Sequence, residues 1–203
     1  MNNKHLKEEQ LTLELLDAIE KDSDISQRHL AKKMGIALGL ANSYLKRCIK
    51  KGLIKIHDAP ANRYLYYITP QGFTEKSRLT AQYLSYSFSF YREAGESCKK
   101  VYDKAKNNGW NKILLCGISD FAEIASIRAM EMDMDVIGIL SPESSENIFI
   151  GKPVYKTINS AGAYDVLVIT DLDSPKDIYM NLKNEVKEAR ILVPDILRME
   201  SGD

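Results

Sequence analysis

The segment from residue 25 to residue 72 constrains the fold of this chain more than any other. It reads ISQRHLAKKMGIALGLANSYLKRCIKKGLIKIHDAPANRYLYYITPQG and contains two short helical patterns that meet at Gly35. The first pattern covers residues 27–34 and the second covers residues 37–51. Gly52 is suited to follow the second helix, because glycine commonly ends a helix whose last turn is basic. The segment therefore predicts two short helices joined by a tight turn.

A β-hairpin is predicted directly after the second helix. β-rich runs cover residues 53–58 and 64–69, and the five residues between them, APANR, are typical of a hairpin tip. Helix, turn, helix and a two-stranded wing is the arrangement by which proteins place one helix in the major groove of DNA. The pattern indicates double-stranded DNA as the partner, although the same fold can also serve protein contacts.

Charge is distributed unevenly along a chain whose formal net charge is zero. Residues 23–80 carry 11 basic and 3 acidic side chains, whereas residues 109–203 carry 9 basic and 16 acidic ones. A polyanion is attracted to the first segment and repelled by the second. The asymmetry favours two domains with separate roles, and it favours DNA over a protein as the partner of the winged segment.

Composition disfavours several other classes of protein. No apolar run approaches the roughly 20 residues that a membrane helix needs, and the N-terminal MNNKHLKEEQ has no signal-peptide core. The three cysteines and three histidines are scattered, so they form neither a disulfide framework nor a metal pattern. We therefore predict a cytoplasmic protein that is not membrane-bound, with inert core cysteines, no metal and no catalytic residues.

Ten residues are candidate DNA contacts, most of them on the exposed face of the second helix. The amide of Asn42 is suited to pair with adenine, and the basic side chains suit phosphates or guanine. Residues at the start of the first helix suit a phosphate oxygen, and those at the hairpin tip suit the minor groove or the backbone. The candidates are Ser26, Gln27, Gly39, Asn42, Ser43, Lys46, Arg47, Lys50, Asn62 and Arg63.

A long helix is predicted over residues 71–107, with Gly95 as a point where it could break. Its start, Thr69-Pro70-Gln71-Gly72, is typical of an N-cap followed by proline. The large apolar side chains on this helix predict either packing against a first helix at 7–21 or a dimer interface. We favour a homodimer, because winged-helix proteins usually read two half-sites. These side chains are Leu79, Tyr83, Tyr86, Phe90 and Tyr91.

The runs GIALGLANSYLKRCIKKGLIKI and YLYYITPQGFTEKSRLTAQYL carry a family resemblance. Through them, residues 10–90 resemble the MarR-like winged-helix regulators, and within these a group associated with exopolysaccharide genes. The resemblance implies a dimeric transcriptional regulator whose helix at 37–51 enters the major groove. Leu40 departs from the group, in which a lysine is expected at this position.

After residue 108 short apolar strands alternate with helices. This pattern is typical of a parallel sheet that is covered on both faces. The predicted fold class is an α+β winged helix-turn-helix domain (1–72), a long connecting helix (73–108), and an α/β Rossmann-like domain with a short parallel sheet (109–203). Strands are predicted at 112–118, 135–140, 165–170 and 190–193, and helices at 119–134 and 174–189.

The turn after the first of these strands occupies the place of a dinucleotide-binding fingerprint. Gly117 keeps the tight turn, but Ser119 replaces the second glycine and Asp120 adds a negative charge beside the expected phosphate site. A carboxylate for a ribose is available only at Glu143. The candidate effector residues are Gly117, Ser119, Asp120, Phe121, Ser141 and Glu143. The alternative is a sheet domain that binds no nucleotide and acts as a scaffold.

The run DVIGILSPESSENIFIGKPVYKTIN resembles the first domain of nucleotide-sugar dehydratases and sugar acyltransferases. This resemblance implies a Rossmann-like fold and suggests a nucleotide or nucleotide-sugar effector, and with it control of polysaccharide genes. It does not imply catalysis, because the catalytic machinery of those enzymes lies in other domains. The open alternatives are an NADH-responsive redox repressor, a polysaccharide-precursor enzyme and a non-catalytic scaffold. No cofactor is certain; NAD(H), a nucleotide and a nucleotide-sugar are the candidates.

Overall fold

The structure, a computed structural model, describes residues 3–60 and 63–199, without the side chains of Asn3, Lys4, Ala59 and Arg63. The chain divides into two compact units, Met1–Phe88 and Ser89–Asp203. The border lies inside one continuous helix, so each unit contains part of the segment predicted to connect them. Within the described residues, no helix combines the length and the apolar character that a membrane span requires.

The described part of unit 1 contains three helices, a hairpin and the first half of a fourth helix. The bounds are α1 (Asn3–Lys21), α2 (Gln27–Lys33), α3 (Leu38–Lys50), β1 (Ile54–Ala59), β2 (Arg63–Ile68) and α4 (Pro70–Asn107). The predicted interruption of α4 at Gly95 is wrong. A Cβ at Gly95 would lie 2.5 Å from Nε of Arg128, so this glycine gives room to a neighbouring side chain and the helix continues through it.

Side-chain caps and glycines set the ends of the helices in unit 1. The Ser26 hydroxyl accepts a hydrogen bond from the backbone N–H of His29 at 3.2 Å and so caps α2. Gly52 has a φ of +72°, a conformation that favours glycine, directly after α3. Thr69 Oγ1 donates to the Gly52 carbonyl at 2.6 Å and accepts from the N–H of Gly72 at 3.0 Å. The start of α4 is thereby tied to the end of α3.

The core of unit 1 forms where α1, α2, α3 and the hairpin meet. Leu15 of α1, Leu30 of α2 and Leu45 of α3 are buried there together with Ile54 of β1. Tyr66 of β2 is also buried, and its hydroxyl accepts a hydrogen bond from the Gln27 side chain at 3.2 Å. The hairpin is therefore packed against the helix-turn-helix and held in a defined position beside α3.

Unit 2 is built on a six-stranded sheet in the order β5-β6-β4-β3-β7-β8. Neighbouring strands are parallel except for the antiparallel β5–β6 pair. The predicted α/β arrangement is present; β5 and β6 lie outside the four strands predicted from the alternating pattern, and α6 ends earlier than predicted. The bounds are β3 (Lys112–Cys116), α5 (Asp120–Glu131), β4 (Asp135–Leu140), β5 (Ile148–Phe149), β6 (Lys152–Tyr155), β7 (Val166–Ile169), α6 (Pro175–Glu185) and β8 (Ile191–Leu192).

Helices cover both faces of this sheet. The second half of α4 and α5 pack on one face, where Tyr102 and Phe121 are fully buried. The hydroxyl of Tyr102 donates to the carbonyl of Ala125 at 2.8 Å, which joins α4 to α5. On the other face α6 contributes the buried Leu182. The second half of α4 is therefore a structural layer of unit 2.

The beginnings of β3 and β7 are fixed to each other by one carboxylate. Oδ2 of Asp165 accepts the backbone N–H groups of Lys112 at 2.8 Å and Asn111 at 2.9 Å. These two hydrogen bonds hold the pKa of the Asp165 carboxyl below its ordinary value. Because the folded-state pKa is depressed, the stabilisation is present above the unfolded-state pKa of about 3.9 and is lost as the pH falls through the folded-state pKa.

We expect Asp165→Asn to destabilise the protein at neutral pH but not in strong acid. The amide keeps an acceptor oxygen but lacks the charge that strengthens both hydrogen bonds. Urea unfolding at pH 7, 5 and 3 measures the difference between wild type and variant, which should be constant down to pH 5 and shrink below about pH 4. Asp103→Asn, at an exposed position of α4, is the control. A difference for Asp165→Asn that is equal at all three pH values would contradict this role.

Candidate nucleic-acid interface

Helix α3 has a buried face and an opposite, exposed face. Ala41, Leu45 and Cys48 are buried and define the inner face. Because each residue advances about 100° around an α-helix, the opposite face follows from their positions. The residues on that face, all of them exposed, are Gly39, Ser43, Lys46 and Lys50.

The two lysines on this face are free of ion pairs within the part of the chain that the structure describes. The hydroxyl of Ser43 donates to the carbonyl of Gly39 at 2.9 Å, so its oxygen is left as an acceptor. Lys46 and Lys50 therefore present uncompensated ammonium groups about one helical turn apart. An anion that approaches this face meets positive charge without displacing a carboxylate.

Arg47 lies on the flank of α3 that is next to α1. Its guanidinium is 3.3 Å from the Glu8 carboxylate of α1 and 5.1 Å from the ring centroid of Tyr44. A phosphate would have to compete with both partners. Arg47 is therefore less available to DNA than Lys46 or Lys50, a difference that the sequence pattern could not indicate.

The side chain of Asn42 is less exposed than its predicted role as a base contact requires. The residue is only partly exposed, and its Oδ1 atom is buried with no hydrogen-bond partner among the described residues. Pairing with adenine needs that oxygen to accept from N6 while the amide nitrogen donates to N7. In this orientation the oxygen is inaccessible, so the predicted adenine pairing requires the side chain to turn and remains a prediction.

The candidates outside α3 are only partly available. The Ser26 hydroxyl caps α2, and the Gln27 side chain is bonded to Tyr66. Asn62 lies outside the described residues, and only the backbone of Arg63 is described. The predicted contacts of the hairpin tip therefore remain predictions.

Sequence reasoning missed two groups of exposed residues near α3. Five further basic residues are exposed on α2, at the end of α3 and on β1: Arg28, Lys32, Lys33, Lys51 and Lys55. These five residues contribute to the positive charge counted for residues 23–80, but no sequence motif marked them as candidate DNA contacts. The second group is apolar: Leu38 and Leu40, in the first turn of α3, are 43% and 45% exposed. Helical periodicity alone gives no reason for leucine on such a surface.

In unit 2, the predicted effector turn between β3 and α5 is closed by the loop that follows β7. Gly117 has a φ of +106°, and a Cβ there would lie 2.6 Å from the backbone nitrogen of Asp171. The Ser119 hydroxyl accepts from the N–H of Ala122 at 3.2 Å and donates to the Thr170 carbonyl at 2.6 Å. Thr170 Oγ1 in turn donates to the Gly117 carbonyl at 2.7 Å. The polar groups of the turn bind the neighbouring loop.

The remaining effector candidates have different environments. Asp120 is exposed in the first turn of α5, whereas Phe121 is fully buried in the core. The Phe121 side chain is therefore not accessible to an effector, and only its backbone remains a candidate for contact. The N–H of Ser141 donates to the Tyr155 carbonyl at 2.9 Å, and Glu143 is exposed in the turn after β4.

All three cysteines are free and buried. Burial raises the pKa of the Cys48 thiol to about 11 and that of the Cys98 thiol to about 12, and it also raises the pKa of Cys116. A thiol that stays protonated at neutral pH reacts slowly, because the thiolate is the nucleophile. Their environment fits structural residues better than redox sensors.

Comparison with known proteins identifies the class of the first unit. Residues 8–55 match a family model described as winged helix-turn-helix DNA-binding. Together with the hairpin packed beside α3, this match shows that unit 1 is a winged helix-turn-helix domain. A comparison with curated proteins found no match.

Several solved structures have detectable similarity to this chain. The PcaV transcriptional regulator from Streptomyces coelicolor, in complex with its natural ligand, is 18% identical over 48% of this chain and 72% of its own, with a TM-score of 0.38. MepR, a transcription regulator of the Staphylococcus aureus multidrug efflux pump MepA, is 20% identical over 50% and 77%, with a TM-score of 0.37. Human N-acetylserotonin methyltransferase, in complex with SAM, is 12% identical over 94% and 77%, with a TM-score of 0.29. At these TM-scores the similarities carry no functional argument.

Proposed function

We propose that this protein is a cytoplasmic transcriptional regulator that binds double-stranded DNA as a homodimer and is not an enzyme. The observation that carries the proposal is the exposed face of α3, where Lys46 and Lys50 are unpaired within a winged helix-turn-helix domain. Lysine side chains on one helix face are suited to phosphate contacts and to guanine in the major groove. The positive charge of residues 23–80 adds long-range attraction for DNA.

Within this proposal, the candidate residues have three different roles. Lys46 and Lys50 contact DNA directly, and the exposed Gly39 and Ser43 lie on the same face. Arg47 mainly positions α3, because its guanidinium is already held by α1. Ser26, Gln27, Asn62 and Arg63 are secondary candidates for backbone contacts.

The dimer is supported by the exposed apolar surface of α4. Tyr83, Leu84, Tyr86 and Phe88 are 51%, 47%, 55% and 59% exposed. Large exposed apolar patches on a protein surface mark interaction sites. A second copy is the expected occupant, because winged-helix proteins read paired half-sites. Of the five residues predicted for this interface, Leu79 is instead buried and Phe90 packs against the core of unit 2.

The double variant Tyr83→Glu/Tyr86→Glu is expected to be monomeric at micromolar concentration. Both rings line a groove between α1 and α4, and burying two carboxylates there would cost more than a dimer contact supplies. Sedimentation velocity of wild type and variant measures the change. Met180→Glu, which places a charge at an exposed apolar position of α6, is the control and should sediment as wild type. A monomeric wild type, or a dimeric double variant, would contradict this interface.

Unit 2 fits a scaffold better than a nucleotide sensor. Its parallel strands reverse their order beside β3, a topology that supports a Rossmann-like fold with a ligand crevice at the β3–β7 carboxyl ends. At that place, however, Ser119 and Thr170 bond the two loops together, and the carboxylate of Asp120 opposes a phosphate. These residues do not fit a nucleotide, a nucleotide-sugar or NAD(H) at this turn. Control of polysaccharide genes rests on the sequence resemblance alone.

The experiment that tests the proposed function is a titration of the full chain with a labelled random-sequence duplex at 50 mM and 200 mM salt. We expect measurable binding at 50 mM and at least a tenfold loss at 200 mM, because phosphate contacts release counterions. Selection of the duplexes that the protein binds from a random-sequence pool should then yield an operator with an inverted repeat. The absence of binding to any duplex at 50 mM salt would refute the proposal.

A further inference from the structure

The first turn of α3 contains two exposed leucines on an otherwise polar and basic surface. Leu38 and Leu40 are 43% and 45% exposed, and Ala37, which precedes them, makes no side-chain cap. In helix-turn-helix proteins, the N-terminal residues of the second helix contact base edges. The leucines therefore occupy the part of α3 that comes closest to the bases if the proposed function is correct.

The residue between them, Gly39, has no reason in the fold to be glycine. Its φ is not in the positive range, and a Cβ built on it would meet nothing within 4 Å. Glycine weakens a helix relative to alanine, so a fold-determined position would favour alanine here. Close approach of a molecule outside the chain would account for a glycine at this exposed position.

We propose that Leu38, Gly39 and Leu40 form an apolar notch that receives the C5-methyl group of thymine in the major groove. Thymine is the only standard base that presents a methyl group there, and apolar side chains are what reads it. Gly39 allows the base edge to approach the backbone, and Leu38 and Leu40, each about 100° from Gly39 around the helix, bound the notch on its two flanks. This inference rests on the proposed function and adds to it the chemistry of one base in each half-site.

The first test compares thymine with uracil, which lacks only the methyl group. An operator is selected from a random duplex pool with the full wild-type chain, and each thymine is then replaced in turn by deoxyuridine. At one or two positions per half-site, we expect about fourfold weaker binding for each methyl group removed, the factor expected for one buried CH₂-sized group. Equal affinity at every position would overturn the inference.

The second test uses variants of the notch. Leu38→Ala/Leu40→Ala should bind the thymine and uracil operators equally, whereas Met180→Ala, which removes an exposed apolar side chain from α6, should discriminate as wild type does. Gly39→Ala should raise the melting temperature but weaken operator binding. A Gly39→Ala variant with unchanged affinity, or a double leucine variant that still discriminates, would overturn the notch. Failure to bind any duplex would instead refute the proposed function.

Discussion

Replacing Lys46 and Lys50 together by alanine is expected to abolish most of the DNA affinity of this protein. The two ammonium groups are exposed on one face of α3 and unpaired within the described residues. If each contacts one phosphate, a dimer loses four contacts, and the slope of log affinity against log salt should fall by about 3.6. At 0.15 M salt this corresponds to a loss of affinity on the order of 10² to 10³.

The matched control removes the same charge elsewhere. Lys176 and Lys187 are exposed in unit 2, and their double alanine variant changes the net charge equally. It should keep the wild-type slope and nearly the wild-type affinity. Circular dichroism should show that both variants are folded. If the α3 variant has the same DNA affinity and salt slope as this control, Lys46 and Lys50 do not contact DNA.

Gly72→Ala is expected to destabilise unit 1, although alanine is the better helix former. A Cβ at Gly72 would lie 2.1 Å from the Leu53 carbonyl oxygen and 2.7 Å from Cγ2 of Ile68. The first contact is with backbone, so no rotamer change relieves it. Overpacking of this kind costs about 1–3 kcal/mol, whereas the gain in helix propensity is at most about 1 kcal/mol. The clash should dominate, and α4 should separate from the base of the hairpin.

Differential scanning calorimetry measures this effect, and Gly39→Ala is its matched control. The substitution is the same and both glycines lie in helices, but a Cβ at Gly39 has open space around it. The two variants should therefore shift the melting temperature of unit 1 in opposite directions, downward for Gly72→Ala and upward for Gly39→Ala. A melting temperature of Gly72→Ala equal to or higher than that of the wild type would contradict the close packing of α4 against the hairpin.

The sequence predicted the elements of unit 1 well because their signals are local. Ala41, Leu45, Cys48 and Ile49 recur at helical spacing in the sequence, and the first three are buried whereas Ile49 is partly buried. What it could not predict depends on partners far along the chain. Arg47 is held by Glu8, which is 39 residues away, and Ser119 is held by Thr170, which is 51 residues away. Both side chains had been assigned to ligands from their position in a motif.

Phe121 is another residue whose side-chain environment could not be predicted from its position in a motif. Its place in a glycine-containing turn suggested a ligand contact, whereas its side chain belongs to the packing of α5 on the sheet. A motif fixes where a residue lies along the backbone but not which way its side chain turns. Of the two exposed leucines at the start of α3, only Leu40 stood out in the sequence, as a departure from a family pattern, and the exposure of both was found in the structure.

The central claim is that the exposed face of α3 meets DNA, and a site-specific crosslink tests it most directly. The three native cysteines are buried, so Ser43→Cys provides a reactive thiol at the centre of that face. Met180→Cys on α6 is the matched control at an exposed position. After both variants are labelled with a photoactivatable crosslinker and bound to the selected operator, irradiation should join Ser43→Cys to DNA and leave Met180→Cys unjoined. Crosslinking from Met180→Cys but not from Ser43→Cys would contradict the account.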